Sequence, residues 1–129
     1  MARLLLVDDD PEQTKMWRLL LESAGHEIET AATLAEAMHR LTALPDVLLM
    51  DLRLPEVAHG LELIRAAAQH LSVKIVVLSG WPQDLETKPE AKLVSRILAK
   101  PARPPALLRA ITELAMLVPA CYFSLRALS

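Results

Sequence analysis

The sequence predicts an α/β domain: a parallel sheet sandwiched between helices in three αβα layers. Short apolar runs, Leu4-Leu5-Leu6-Val7, Val47-Leu48-Leu49-Met50, Val73-Lys74-Ile75-Val76-Val77-Leu78 and Ile97-Leu98-Ala99, alternate with longer stretches of helical spacing, the pattern of βαβ units. The runs are nearly continuous, as strands buried on both faces require. Each run stops at polar residues: Asp8 and Asp9, Asp51, Ser79, and Lys100-Pro101. Parallel strands bring such positions together at one carboxyl edge, where open α/β sheets hold their ligands.

The elements follow in order. After the first strand, Pro11 stands where a first helical turn tolerates proline, and Met16, Leu20 and Ala24 recur every four residues until Gly25. Trp17 and Leu21 then fall beside that stripe, as an apolar patch or as the margin of the core. His26 to Ala31 alternates weakly as a second strand. Thr33 with Glu36 three residues later has capping-box spacing, and Leu34, Ala37, Met38 and Leu41 form the face behind it. Asp46 to Met50 is the third strand, and Leu61, Ile64 and Ala68 trace a third helix.

The fourth strand covers about Val73 to Leu78. Pro82 and Pro89 bracket the polar stretch beyond it, so the fourth helix is expected to be short, near Pro89 to Val94. A fifth strand, Arg96 to Ala99, precedes Pro104-Pro105 and an amphipathic helix bearing Leu107, Leu108, Ile111, Leu114 and Ala115.

With 129 residues the chain has the size of one domain, and its 53% hydrophobic content with two Trp, one Tyr and one Phe implies a core of Leu, Ala, Val and Ile. A net charge of −2 offers no basic field for nucleic acid. No apolar stretch approaches the ~18 residues of a membrane span, and Cys121 has no partner for an internal disulfide. A cytoplasmic setting is the expectation. Residues 1–118 form the expected domain; 119–129 are an apolar extension whose packing the pattern leaves open.

Carboxylates gathered at a sheet edge repel one another unless a cation joins them. Oxygen donors without Cys/His spacing suit Mg²⁺ better than zinc. A lysine and a hydroxyl beside such a cluster can bind phosphoryl oxygens, which completes the parts for phosphoryl transfer to an aspartate.

In Leu5-Leu6-Val7-Asp8-Asp9-Asp10-Pro11, Leu48-Leu49-Met50-Asp51-Leu52-Arg53-Leu54-Pro55, Val77-Leu78-Ser79-Gly80 and Lys100-Pro101, the chain resembles the receiver domain of two-component response regulators. The resemblance covers about residues 2 to 117. It implies a flavodoxin-like, doubly wound five-stranded sheet in the order 2-1-3-4-5 with about five helices. It further implies Asp51 as phosphoacceptor, and Asp8, Asp9, Asp51 and the Arg53 backbone carbonyl as the Mg²⁺ site. Ser79 and Lys100 would contact phosphoryl oxygens. The implied partners are a sensor histidine kinase or histidine phosphotransfer protein, a downstream protein, and a second copy of the chain through the last strand and helix. Such a chain catalyses only its own phosphorylation and dephosphorylation. The alternative is a phosphate-independent binding module of the same fold.

Two features depart from the family pattern, and a third position bears on the site. Ile97 stands three residues before the lysine, where Tyr or Phe is usual and takes part in switching. The loop Pro55-Glu56-Val57-Ala58-His59-Gly60 is one residue longer, with His59 in place of the usual Asp. Trp81, two residues after Ser79 at a position where the family is diverse, faces Arg53 across the expected opening; either the pair covers an acyl phosphate and slows its hydrolysis, or Trp81 simply caps the sheet edge.

Overall fold

A computed structural model describes residues 2–116. The apolar extension, with Cys121, lies outside the described residues. Five strands, β1 (Arg3–Val7), β2 (Glu27–Ala31), β3 (Val47–Asp51), β4 (Lys74–Ser79) and β5 (Arg96–Ala99), form one parallel sheet in the order β2-β1-β3-β4-β5. The helices are α1 (Pro11–Ser23), α2 (Leu34–Leu41), α3 (Val57–Ala67), a single turn α4 (Gln83–Glu86) and α5 (Pro104–Ala115). This is the expected flavodoxin-like arrangement.

Two apolar clusters lie on opposite faces of the sheet, because successive strand residues point to opposite sides. Leu5, Val7, Leu48, Met50, Ile75 and Val77 pack with α2 and α3; Leu4, Leu6, Val47, Leu49, Val76 and Leu78 pack with α1 and α5. Register fixes which residues reach the carboxyl edge. Val7 pairs with Met50 and Asp51 with Leu78, so Asp8, Asp51 and Ser79 end their strands at nearly one level.

The face of α1 differs from its sequence expectation. Trp17 and Leu21 are the buried residues, with Trp17 3% exposed, whereas Met16 is half exposed. Both stripes recur every four residues, so periodicity does not choose between them. Docking on the sheet does; the helix starts at Asp10, whose carboxylate caps it by accepting from the Glu12 and Gln13 N–H groups. Trp17 and Leu21 therefore belong to the core.

α2 begins as expected, with Thr33 Oγ1 accepting from the Glu36 N–H at 3.1 Å. In α3, Ile64 of the predicted trace is buried with Gly60, Leu63 and Ala67, and Leu61 and Ala68 pack partly buried against the same cluster. Gly60 sets how closely the helix approaches, because a Cβ there would collide with the Leu52 carbonyl oxygen. Its missing side chain lets α3 pack directly on the β3–α3 loop. Beyond β4, α4 forms earlier than expected, anchored by buried Leu85, and Pro89–Leu93 is a 3₁₀ turn.

Candidate functional site

Two strand ends supply the acidic cluster. Asp8 and Asp9 follow β1, and Asp51 closes β3; one carboxylate oxygen from each lies within 4.8 Å of the others. Asp8 is 3% exposed, Asp51 partly buried and Asp9 exposed. The cluster is thus graded from sheet edge to solvent.

Local hydrogen bonds orient the carboxylates of Asp8 and Asp51. Asp8 Oδ1 accepts from the Asp10 N–H at 2.9 Å, and Thr14 Oγ1 donates to the Asp8 and Asp10 carbonyls at 3.4 and 3.0 Å. Burial pushes the Asp8 carboxyl above its ordinary value, a shift opposed by the Asp10 N–H and the Lys100 charge and reinforced by Asp51 and Asp9. Asp51 Oδ1 accepts from the Arg53 N–H at 3.3 Å, and its Oδ2 from Lys100 Nζ at 3.0 Å. Both Asp51 oxygens are therefore held, each by a different donor.

Lys100 and Ser79 arrive on adjacent strands. The Lys100 N–H donates to the Ser79 carbonyl at 2.9 Å, which extends the pairing of β4 and β5 one residue past Ala99. Ser79 is 2% exposed, and its Oγ accepts from the Trp81 N–H at 3.1 Å. That bond uses an acceptor site of the hydroxyl and leaves its proton free to donate. The X-Pro bonds Leu54-Pro55 and Lys100-Pro101 in the two flanking loops are cis.

The sequence-predicted residues Asp8, Asp9, Asp51, Ser79 and Lys100 therefore converge, and Arg53 joins them through its backbone. His59 lies on α3, and its buried Nδ1 has no hydrogen-bond partner among the described residues. Sequence reasoning missed Thr14 and Asp84. Asp84 lies in the first turn of α4, and its carboxylate accepts from Arg53 Nη2 at 2.7 Å. Arg53 also stacks on Trp81, its guanidinium carbon 4.5 Å from the ring centroid. The predicted pairing of Arg53 and Trp81 exists; its third member left no sequence signal, since one Asp in a polar stretch is ordinary.

The donor set is all oxygen, with three carboxylates close enough to share one ion and a lysine already offsetting part of their charge. This suits a hard divalent cation that keeps waters, and the edge around it is open to solvent through Asp9. Opposite the cluster, an amine and a free hydroxyl proton are placed to receive anionic oxygens.

The profile of the response regulator receiver domain matches residues 4–112. The chain is 33% identical over 86 residues to the transcriptional regulatory protein CpxR homolog of Haemophilus influenzae, covering 67% of this chain and 37% of that protein. It is 33% identical over 91 residues to the virulence transcriptional regulatory protein PhoP of Salmonella typhimurium, covering 67% and 40%. The chain thus spans about two fifths of the length of these relatives or less. Among solved structures, a response regulator receiver domain protein from Clostridium thermocellum superposes with a TM-score of 0.80 at 22% identity, over 89% of this chain and 94% of that one. The response regulator TrrA of Thermotoga maritima, solved in complex with Mg²⁺-BeF, gives 0.78 at 23% identity, over 88% and 99%. At these identities the structural likeness bears on the fold.

Proposed function

Because the chain belongs to the response regulator receiver family of two-component systems, we propose that Asp51 accepts a phosphoryl group from a histidine kinase or histidine phosphotransfer protein. The observation that carries this reading is the placement of Asp51 between Lys100 Nζ, 3.0 Å from its Oδ2, and the carboxylates of Asp8 and Asp9. Asp8, Asp9, Asp51 and the Arg53 carbonyl would hold Mg²⁺. When bound, Mg²⁺ offsets the repulsion between the carboxylate nucleophile and an anionic donor and stabilises charge that spreads during transfer.

The chain's own residues do the rest. An Asp51 oxygen forms the bond to phosphorus as the donor's N–P bond breaks, and the donor imidazole leaves with that electron pair. Lys100, freed from the charge it now shares with Asp51, donates to a phosphoryl oxygen, and the Ser79 hydroxyl donates to another. Water attack at phosphorus later releases inorganic phosphate and restores the carboxylate. The signal passes onward by protein contact in a cytoplasmic setting.

Retention of the acidic pair, the acceptor, the hydroxyl and the lysine together supports this chemistry over a phosphate-independent binding role. Beryllium fluoride with Mg²⁺ mimics the acyl phosphate without needing a donor. A bound fluorine NMR signal that requires Mg²⁺, and that is lost in Asp51→Asn, is the expected result; a signal unchanged in Asp51→Asn refutes the assignment.

A further inference from the structure

At the edge of the sheet opposite the acidic cluster, α2 falls short of the strands beneath it. β1 and β2 each run five residues, about 16 Å, whereas the eight residues of α2 span about 12 Å from a start near the carboxyl edge. The shortfall leaves a cavity of about 320 Å³ between the starts of the two strands and the end of the helix. Arg3, Glu27 and Glu29 line it from the sheet, and Arg40, Ala43 and Pro45 from α2 and the turn after it.

The charges in this cavity are balanced but incompletely paired. Arg3 and Glu27 are register partners on adjacent strands, where opposite charges ordinarily attract one another into contact. They form no ion pair here. Arg3 Nη2 instead donates to the Ala43 carbonyl at 2.8 Å, and the Arg3 backbone N–H donates to Asp46 Oδ2 at 2.9 Å. The Glu27 carboxylate has no side-chain partner among the described residues. Arg40 Nη1 donates to Glu29 at 2.7 Å, so a second guanidinium is held at the wall.

We propose that this cavity binds a small zwitterion, a free α-amino acid with an apolar side chain. Its carboxylate accepts from Arg3, its ammonium donates to Glu27, and its side chain lies against Leu5 and Pro45, which also line the space.

The formal charges of Arg3 and Arg40 are offset by those of Glu27 and Glu29, so a ligand of one sign would meet repulsion as well as attraction. A ligand carrying both signs a short span apart bridges the gap between Arg3 and Glu27. The Arg3 guanidinium has five N–H donors and is already positioned by the Ala43 carbonyl, so donors remain and little ordering is needed on binding. The volume lies at the low end for ligand cavities, which suits a molecule of this size. No residue of the phosphoacceptor cluster takes part, so the site stands independently of the role proposed for Asp51.

The test titrates the full 129-residue chain with L-leucine, L-valine and L-phenylalanine and follows the Arg3, Glu27, Arg40 and Ala43 amides by NMR. Saturable shifts at these amides are expected, and the same shifts in Asp51→Asn. Isocaproate and isoamylamine, which are leucine without its ammonium and without its carboxylate, bind about tenfold more weakly than L-leucine, the scale of a lost charge-assisted hydrogen bond. Glu27→Gln weakens L-leucine about tenfold and leaves isocaproate unchanged. Arg3→Gln, with folding confirmed by a thermal melt, weakens L-leucine and leaves isoamylamine unchanged. Absence of saturable shifts with all three amino acids overturns the proposal, as does isocaproate binding as tightly as L-leucine or undiminished L-leucine affinity in Glu27→Gln.

Discussion

Lys100 Nζ lies 3.0 Å from Asp51 Oδ2, although 49 residues separate them in the chain. The contact spans two strand spacings, from β3 across β4 to β5, and the Lys100 N–H bond to the Ser79 carbonyl holds the far end in place. The amine therefore acts as a resident cation for the acidic cluster. Lys100→Met is expected to tighten Mg²⁺ binding severalfold, since a competing charge is gone, and to reduce phosphorylation from acetyl phosphate by about a hundredfold. Calorimetry and intact mass give the two readouts; a lysine with a merely structural role would move them together.

Asp8 is a charged group at 3% exposure with two carboxylates beside it. Asp8→Asn keeps an oxygen for the Asp10 N–H and removes the buried like charge. Without Mg²⁺ the variant is expected to be more stable by about 1 kcal/mol in urea unfolding. The stabilisation expected from Mg²⁺ in the wild type, about 1.4 kcal/mol at ten times the dissociation constant, should largely vanish in the variant. An apo variant less stable than wild type contradicts this electrostatic reading.

Gly60 inverts the usual helix rule. Glycine to alanine in a helix ordinarily stabilises by about 1 kcal/mol. Here the added Cβ would lie 1.8 Å from the Leu52 carbonyl oxygen, a backbone atom, so α3 and the loop carrying Arg53 must separate. Gly60→Ala is expected to destabilise by about 2 kcal/mol or more, read as a lowered urea midpoint.

His26 Nδ1 accepts from the Ala2 N–H at 3.0 Å, clamping the start of β1 to β2. Burial lowers its pKa below the ordinary 6.5, and the bond needs the neutral ring. With a folded pKa below the unfolded one, its contribution is fully present above pH 6.5 and is lost as pH falls through the folded value. The difference in urea midpoint between wild type and His26→Asn should therefore be constant at neutral pH and shrink below it. A difference that grows on acidification contradicts the sign.

Much of this site was legible because parallel strands translate sequence into position: a residue just past a buried run has to emerge at the carboxyl edge. Asp8, Asp9, Asp51, Ser79 and Lys100 were found that way. α1 misled because Met16-Leu20-Ala24 and Trp17-Leu21 repeat with the same period, and only docking on the sheet decides which stripe turns inward. α4 was hidden because a single apolar residue, Leu85, anchors it in an otherwise polar stretch. Asp84 was invisible for a related reason. Its meaning comes from Arg53, 31 residues away, and ion pairs across loops leave no periodic trace.

Whether Asp51 is the phosphoacceptor is decided by peptide-level mass spectrometry after treatment with acetyl phosphate and Mg²⁺. One Mg²⁺-dependent phosphoryl group is expected, on the peptide containing Asp51 and removed by Asp51→Asn. Phosphate on a different residue at wild-type yield, or none on folded protein, would contradict it.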